Sequence, residues 1–148
     1  MFEGRIAREK ADLAQIIRKL EEESSKKGGG ALVIFIGFVK GVVNEAEVQE
    51  LRYEAYEPYA SKKLDEIAKS YADREDVYGV VILHRVGSLR PGDETMYVLV
   101  AAKDRGTAFS VAREVVDRVK HSVPIFKLEV RSDGEYWVVG DSRRVRRE

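Results

Sequence analysis

Two lysines seven residues apart, Lys120 and Lys127, bracket Pro124. With no cysteine in the chain there is no thiolate, and the histidines are only His84 and His121. The amines are therefore the groups to weigh first. A lysine in a partly dry site beside other cations loses basicity and can act as a base or a transient nucleophile; a solvated one only offsets charge. Lys40 and Arg105 also fall at expected strand or helix ends, where sites gather in mixed architectures. Four cations without evident acidic partners suit a multiply anionic substrate such as a phosphate ester. Any one of them alone is an ordinary surface charge.

The elements that must place these lysines are legible around them. Ala108, Val111, Ala112, Val115, Val116 and Val119 are spaced for one buried helical stripe. Residues four apart stack on a helix face, so Lys120 ends the row Ala112–Val116. It either snorkels to water or sits partly dry. Pro124 stops the helix and pushes Val123 to an extended conformation. Beyond it the period becomes two. Phe126, Leu128 and Val130 share one face, and Ile125, Lys127 and Glu129 share the other. Two ammonium groups converge if the turn folds this strand back beside the helix end. Otherwise Lys120 merely offsets the helix dipole and Lys127 is a solvated strand residue.

The remaining chain alternates hairpins and helices, which predicts an α+β class. Phe2 to Ile6 fits a short edge strand. Ala11, Leu13, Ile16, Ile17 and Leu20 give a helical stripe, closed by a linker at Gly28-Gly29-Gly30. Ala31 to Val39 is apolar on both faces and reads as a central strand, with Gly37 marking a bulge or a close approach. Val42 to Glu47 reads as a mobile loop, and Val48 to Tyr56 as the strand that returns beside Ala31–Val39 in a long hairpin. A helix with Ala60, Leu64, Ile67, Ala68 and Tyr71 inward follows. Val77 to Val86 and Thr95 to Ala102 form a second hairpin around the turn Gly87–Asp93. Asp133-Gly134 turns the strand after Lys127 into Tyr136–Val139. Residues 1–30 form an N-terminal strand, helix and linker, and 141–148 a basic, frayed tail, all within one domain spanning residues 1–148.

Composition narrows the function classes. Lys plus Arg equals Asp plus Glu at 26 each, so no net field argues for nucleic acid. Two histidines without cysteine argue against a zinc centre of nitrogen and sulfur ligands, and no metal or cofactor is expected. No leader or membrane-length apolar run is evident, which points to a cytoplasmic protein without membrane contact. The GK[ST] phosphate loop, GxGxxG, GxSxG and HExxH signatures are all missing. His84, near the end of an apolar strand, is a possible ligand or general acid; the expected role is a backbone hydrogen bond and packing.

Six ordered blocks carry a resemblance. They are Gly30-Ala31 with Phe35-x-Gly37-x-Val39-Lys40; Leu51-x-Tyr53-Glu54-x-Tyr56; and His84-Arg85-Val86-Gly87-x-Leu89. Gly92-Asp93-Glu94, Arg105-x-x-Ala108-Phe109 and Lys120-x-x-Val123-Pro124-Ile125-Phe126-Lys127-x-Glu129 follow. The chain resembles the large, catalytic subunit of molybdopterin synthase over almost all of its length beyond Gly30. That resemblance implies an α/β hammerhead-type fold and a homodimer at the core of a heterotetramer. Each copy is capped by a small ubiquitin-like sulfur carrier whose Gly-Gly tail ends in a thiocarboxylate. The implied reaction puts two sulfurs on cyclic pyranopterin monophosphate, giving the molybdopterin dithiolene.

By the same resemblance Lys120 and Lys127 match catalytic lysines, with the proton or covalent role given to Lys120 and the electrostatic one to Lys127, or the reverse. Phe38, Val39, Lys40, Lys103, Asp104, Arg105, Leu128 and Glu129 match substrate-binding positions. Lys40 stands where the family has arginine and loses its bidentate fork. Asp104-Arg105 stands where the family has His-Arg. Alternation beyond the strand Thr95–Ala102 puts Lys103 and Arg105 together on the anion, with Asp104 orienting Arg105 or capping the next helix. The competing reading is a non-catalytic dimeric module that binds an anion or a partner's C-terminal tail.

Overall fold

The computed structural model describes residues 1–140 and 142–148. Ten strands and three helices lie among them. The first sheet runs β1 (Phe2–Ala7), β5 (Val77–Arg85), β7 (Glu94–Ala102), β2 (Ala31–Phe38), with β1 parallel to β5 and the other pairs antiparallel. Side chains alternate across it. Val80, Ile82, Val98 and Val100 face α2 (Tyr59–Lys69) and α3 (Arg105–Ser122), whose stripe Val111–Val115–Val119 completes that core. Val81, Leu83, Tyr97 and Leu99 face α1 (Ala14–Ser25), which contributes Leu20, fully buried, with Ile16 and Ile17 beside it.

The second sheet runs β10 (Arg143–Arg146), β9 (Gly134–Val139), β8 (Ile125–Arg131), β4 (Ala46–Ala55), β3 (Val42–Val43), and β6 (Gly87–Leu89) also pairs with β4. A smaller core of Val39, Val43, Leu51, Tyr53, Val86 and Leu89 joins the two sheets. The result is the α+β class expected, with three helices.

Four local expectations are corrected. Ala31–Phe38 is an edge strand, not a central one, and its partner is β7, not the strand Val48–Tyr56. Its apolar residues on both faces mislead because the outer face is only partly covered by α1. Ile34 is 37% exposed, Ile36 36% and Phe38 66%. β4 belongs instead to the second sheet, with Tyr53 opposite Lys127. Val42–Glu47 is a tight hairpin rather than a mobile loop: Val42 pairs with Glu47, and Asn44 and Glu45 take positive φ of 50° and 67°. Within the turn Gly87–Asp93, residues 87–89 add a short strand.

The basic tail is not frayed. Its first residue as expected, 141, lies outside the described residues. Arg143 to Arg146 pair with β9, placing Val145 opposite Trp137, and Arg147 N–H donates to the Glu135 carbonyl at 2.8 Å. Other expectations hold. The register slips between Gly37 and Phe38, giving the bulge. Val123 is extended before Pro124, with ψ of 125°.

Candidate functional site

The turn at Pro124 brings β8 back beside the end of α3, and the two lysines meet at one pocket. Its cavity of about 240 Å³ opens between the bulged end of β2, the C-terminus of α3 and the inner face of the second sheet. Lys120 comes from the last turn of α3, Lys127 and Glu129 from β8, and Lys40 from the residue pair after β2. Phe38 and Val39 line it too. Val39 is anchored by its N–H to the Asp93 carbonyl at 3.0 Å and by accepting from Gly92 N–H at 2.9 Å. Gly37 lies on the wall, where a Cβ would come within 3.0 Å of Thr95 Oγ1. The missing side chain lets the backbone pass that close.

The two lysines differ in environment. Lys120 is exposed at the pocket's mouth. Lys127 is half-buried, with its Nζ 5.7 Å from the centre of the Tyr53 ring directly across the ladder. Burial pushes the Lys127 ammonium below the ordinary lysine range, and the charges of Lys120, Arg144 and Lys40 push the same way; Glu129 opposes them. Tyr53 is itself driven up to about 12, chiefly by burial. His84 Nδ1–H donates to the Arg85 carbonyl at 2.7 Å and its ring meets Tyr53 edge-on, 5.2 Å between centres. Burial holds its pKa down at about 4, so it is neutral at physiological pH. The expected packing role is what it has, on the pocket wall behind Lys127.

Three groups on the pocket wall were not among the site residues read from the sequence: Tyr53, Thr95 and Arg144. Tyr53 had a signal, since it alternates with Leu51 on one face of a strand. Arg144 was hidden in the tail. Its guanidinium forks onto Glu129, Nε to Oε1 at 3.3 Å and Nη2 to Oε2 at 3.2 Å.

Not every expected site residue joins this pocket. Leu128 is buried and alternates to the opposite face of β8 from Lys127 and Glu129. Lys103, Asp104 and Arg105 lie at the far end of α3. Fifteen residue steps of helix separate Arg105 from Lys120, roughly 22 Å at ~1.5 Å per residue. One copy of the chain cannot close both ends on the same small anion. Asp104 takes the capping alternative: its Oδ1 accepts from Thr107 N–H at 2.9 Å, which keeps its carboxyl below the usual range.

Fold and pocket together define a two-sheet α+β protein with a cationic cleft for an anionic ligand, built around a desolvated lysine. A family model described as MoaE protein matches residues 6–122, and the chain belongs to that family. It is 39% identical over 117 residues to the molybdopterin synthase catalytic subunit of Pyrococcus abyssi, covering 79% of each chain. Among solved structures, molybdopterin synthase from Staphylococcus aureus superposes with a TM-score of 0.75 at 29% identity, over 93% of this chain and 96% of that one. A complex of subunits 1 and 2 of molybdopterin-converting factor from Helicobacter pylori shares the fold, with a TM-score of 0.70 at 20% identity, over 98% of this chain and 90% of that chain. No helix among the described residues is long and apolar enough to cross a membrane.

Proposed function

We propose that this chain is the catalytic subunit of a cytoplasmic molybdopterin synthase. It takes sulfur from the thiocarboxylated Gly-Gly tail of a small ubiquitin-like partner and passes it to cyclic pyranopterin monophosphate. The observation that carries this reading is a half-buried lysine in a pocket of cations, in a chain of this family.

Sulfur transfer from an acyl thiocarboxylate develops negative charge and moves protons at the pterin. Lys127, lowered by burial, offers a neutral amine more readily than a solvated lysine and takes the proton or covalent role. Lys120 and Lys40 supply positive charge at the mouth for the phosphate and the tail's terminal group. This reverses the division of labour first given to the two lysines. The reason is exposure: Lys120 is exposed and Lys127 is half-buried.

Lys103 and Arg105 then belong to the pocket of a second copy. A two-fold axis across α3 sets two such helices antiparallel, bringing one N-terminus beside the other's C-terminus. Phe109, one turn from Arg105 and 65% exposed, supplies an apolar contact there. The cavity of one copy, about 240 Å³, also falls short of the ~300–1,000 Å³ usual for small-molecule sites.

The test is reconstitution. The purified chain, the partner in thiocarboxylate form and the precursor pterin should yield dithiolene product. A folded chain that binds the partner and yields none is the non-catalytic module instead.

A further inference from the structure

Glu129 presents a problem that the pocket must solve. It lies two residues from Lys127 on the same face of β8, inside the same cavity, with its side chain only 4% exposed. A buried carboxylate seeks a cation, and Lys127 is within its field. Pairing the two would fasten a proton on the lysine that is meant to give it up.

The carboxylate is instead hydrogen-bonded by one arginine and flanked by the charge of a second. Arg144 reaches over from β10 and grips both oxygens with its planar fork at 3.3 and 3.2 Å. A third N–H of Arg144 is fixed on the Ser142 carbonyl at 3.0 Å, so the fork is aimed from its own strand. Arg131 stands 3.6 Å from the other side of Glu129. It is held there by Asp133 at 2.9 and 3.1 Å and by lying 3.7 Å over the Tyr136 ring. Among the described residues, no carboxylate is close enough to pair with Lys127.

We propose that Arg144 is a positioning residue: it holds the Glu129 carboxylate away from Lys127, and the C-terminal strand β10 exists in this chain to deliver it. The inference rests on Lys127 being the reacting lysine. Among the described residues, the groups facing Lys127 besides Arg144 and Glu129 are Lys120 from α3, Lys40 beyond β2, the neutral His84 from β5 and Tyr53 from β4. None of them is an anion. The balance around the amine therefore turns on where the Glu129 charge points.

The test reads Lys127 directly and needs neither partner nor substrate, so it succeeds or fails independently of the activity. The chain is labelled with ¹³C at lysine Cε, the Lys127 signal is assigned by its loss in Lys127→Arg, and its titration midpoint is followed by NMR. In Arg144→Gln the freed carboxylate turns to Lys127 and the Arg144 charge no longer pushes its pKa down, so the midpoint rises by about one pH unit or more. In the double variant Glu129→Gln/Arg144→Gln no carboxylate is left to move, and at most the part of the rise due to the lost Arg144 charge remains; Arg144→Lys, which keeps that charge, reports the movement of the carboxylate alone. Arg144→Lys keeps the cation but loses the fork, and gives a smaller rise. An unchanged midpoint in folded Arg144→Gln overturns the proposal, as does an equal rise in the double variant. Should Arg144→Gln not fold, Arg144→Lys decides: no rise there overturns it too.

Discussion

Replacing Lys127 with alanine separates activity from stability in a way that few core-adjacent substitutions do. The side chain is half-buried against Tyr53, so its removal forfeits a cation–π contact of ~0.5–2 kcal/mol. It also abolishes the cost of holding an ammonium away from water beside other cations. These terms oppose each other, and the net change is within ~1 kcal/mol, or about 2–4 °C in Tm for a chain of this size. If Lys127 does proton or covalent work, turnover falls ~10²- to 10⁴-fold, equivalent to about 3–5 kcal/mol in the barrier. The pH dependence has a definite sign. The folded-state pKa lies below the ordinary 10.5, so between those values the unfolded chain holds more protons and wild-type stability rises with pH. Below the folded value the penalty is fully present. Lys127→Ala should therefore lack that alkaline rise. Single-turnover product formation and thermal melts across alkaline pH measure both. Turnover within threefold of wild type, or an unchanged alkaline rise, refutes the reasoning.

Two further outcomes follow from the geometry. Asp104→Ala removes the helix cap, so it should lower Tm while leaving the KM for the precursor within twofold; a folded variant with no turnover would place Asp104 in the chemistry instead. A partner lengthened by one residue beyond its last glycine should dock with nearly normal affinity in a titration yet transfer no sulfur, because the tail's end no longer fits beside Lys127. Normal transfer would reject tail insertion.

What the sequence made legible was local. The face shared by Ile125, Lys127 and Glu129 follows from period two alone, and all three line the pocket. The helix stop before Pro124 and the bulge at Gly37 are likewise single-residue effects. What failed was pairing over distance. Ala31–Phe38 looked ready to pair with the next strand, but its register is with Glu94–Ala102, 56 to 71 residues on. No periodicity carries that information. The tail failed for a related reason: Arg143 to Arg146 is charged enough to read as solvated, and its order depends on Glu129 and Trp137 in earlier strands. Val145 set among arginines was the one sign of an alternating strand. Lys103 to Arg105 were correctly read as lying at a helix start, yet a single chain's sequence does not say which copy's pocket that end serves.

That division of the site between copies, with Lys127 acting at its centre, is tested most directly by mixing two inactive variants. Lys127→Ala and Arg105→Ala, each folded and each inactive as a homodimer, are unfolded together, refolded and assayed with thiocarboxylated partner and precursor. Random pairing leaves one intact composite pocket in half of the dimers, so the mixture should regain about a quarter of wild-type turnover. A mixture no more active than its parents contradicts the account.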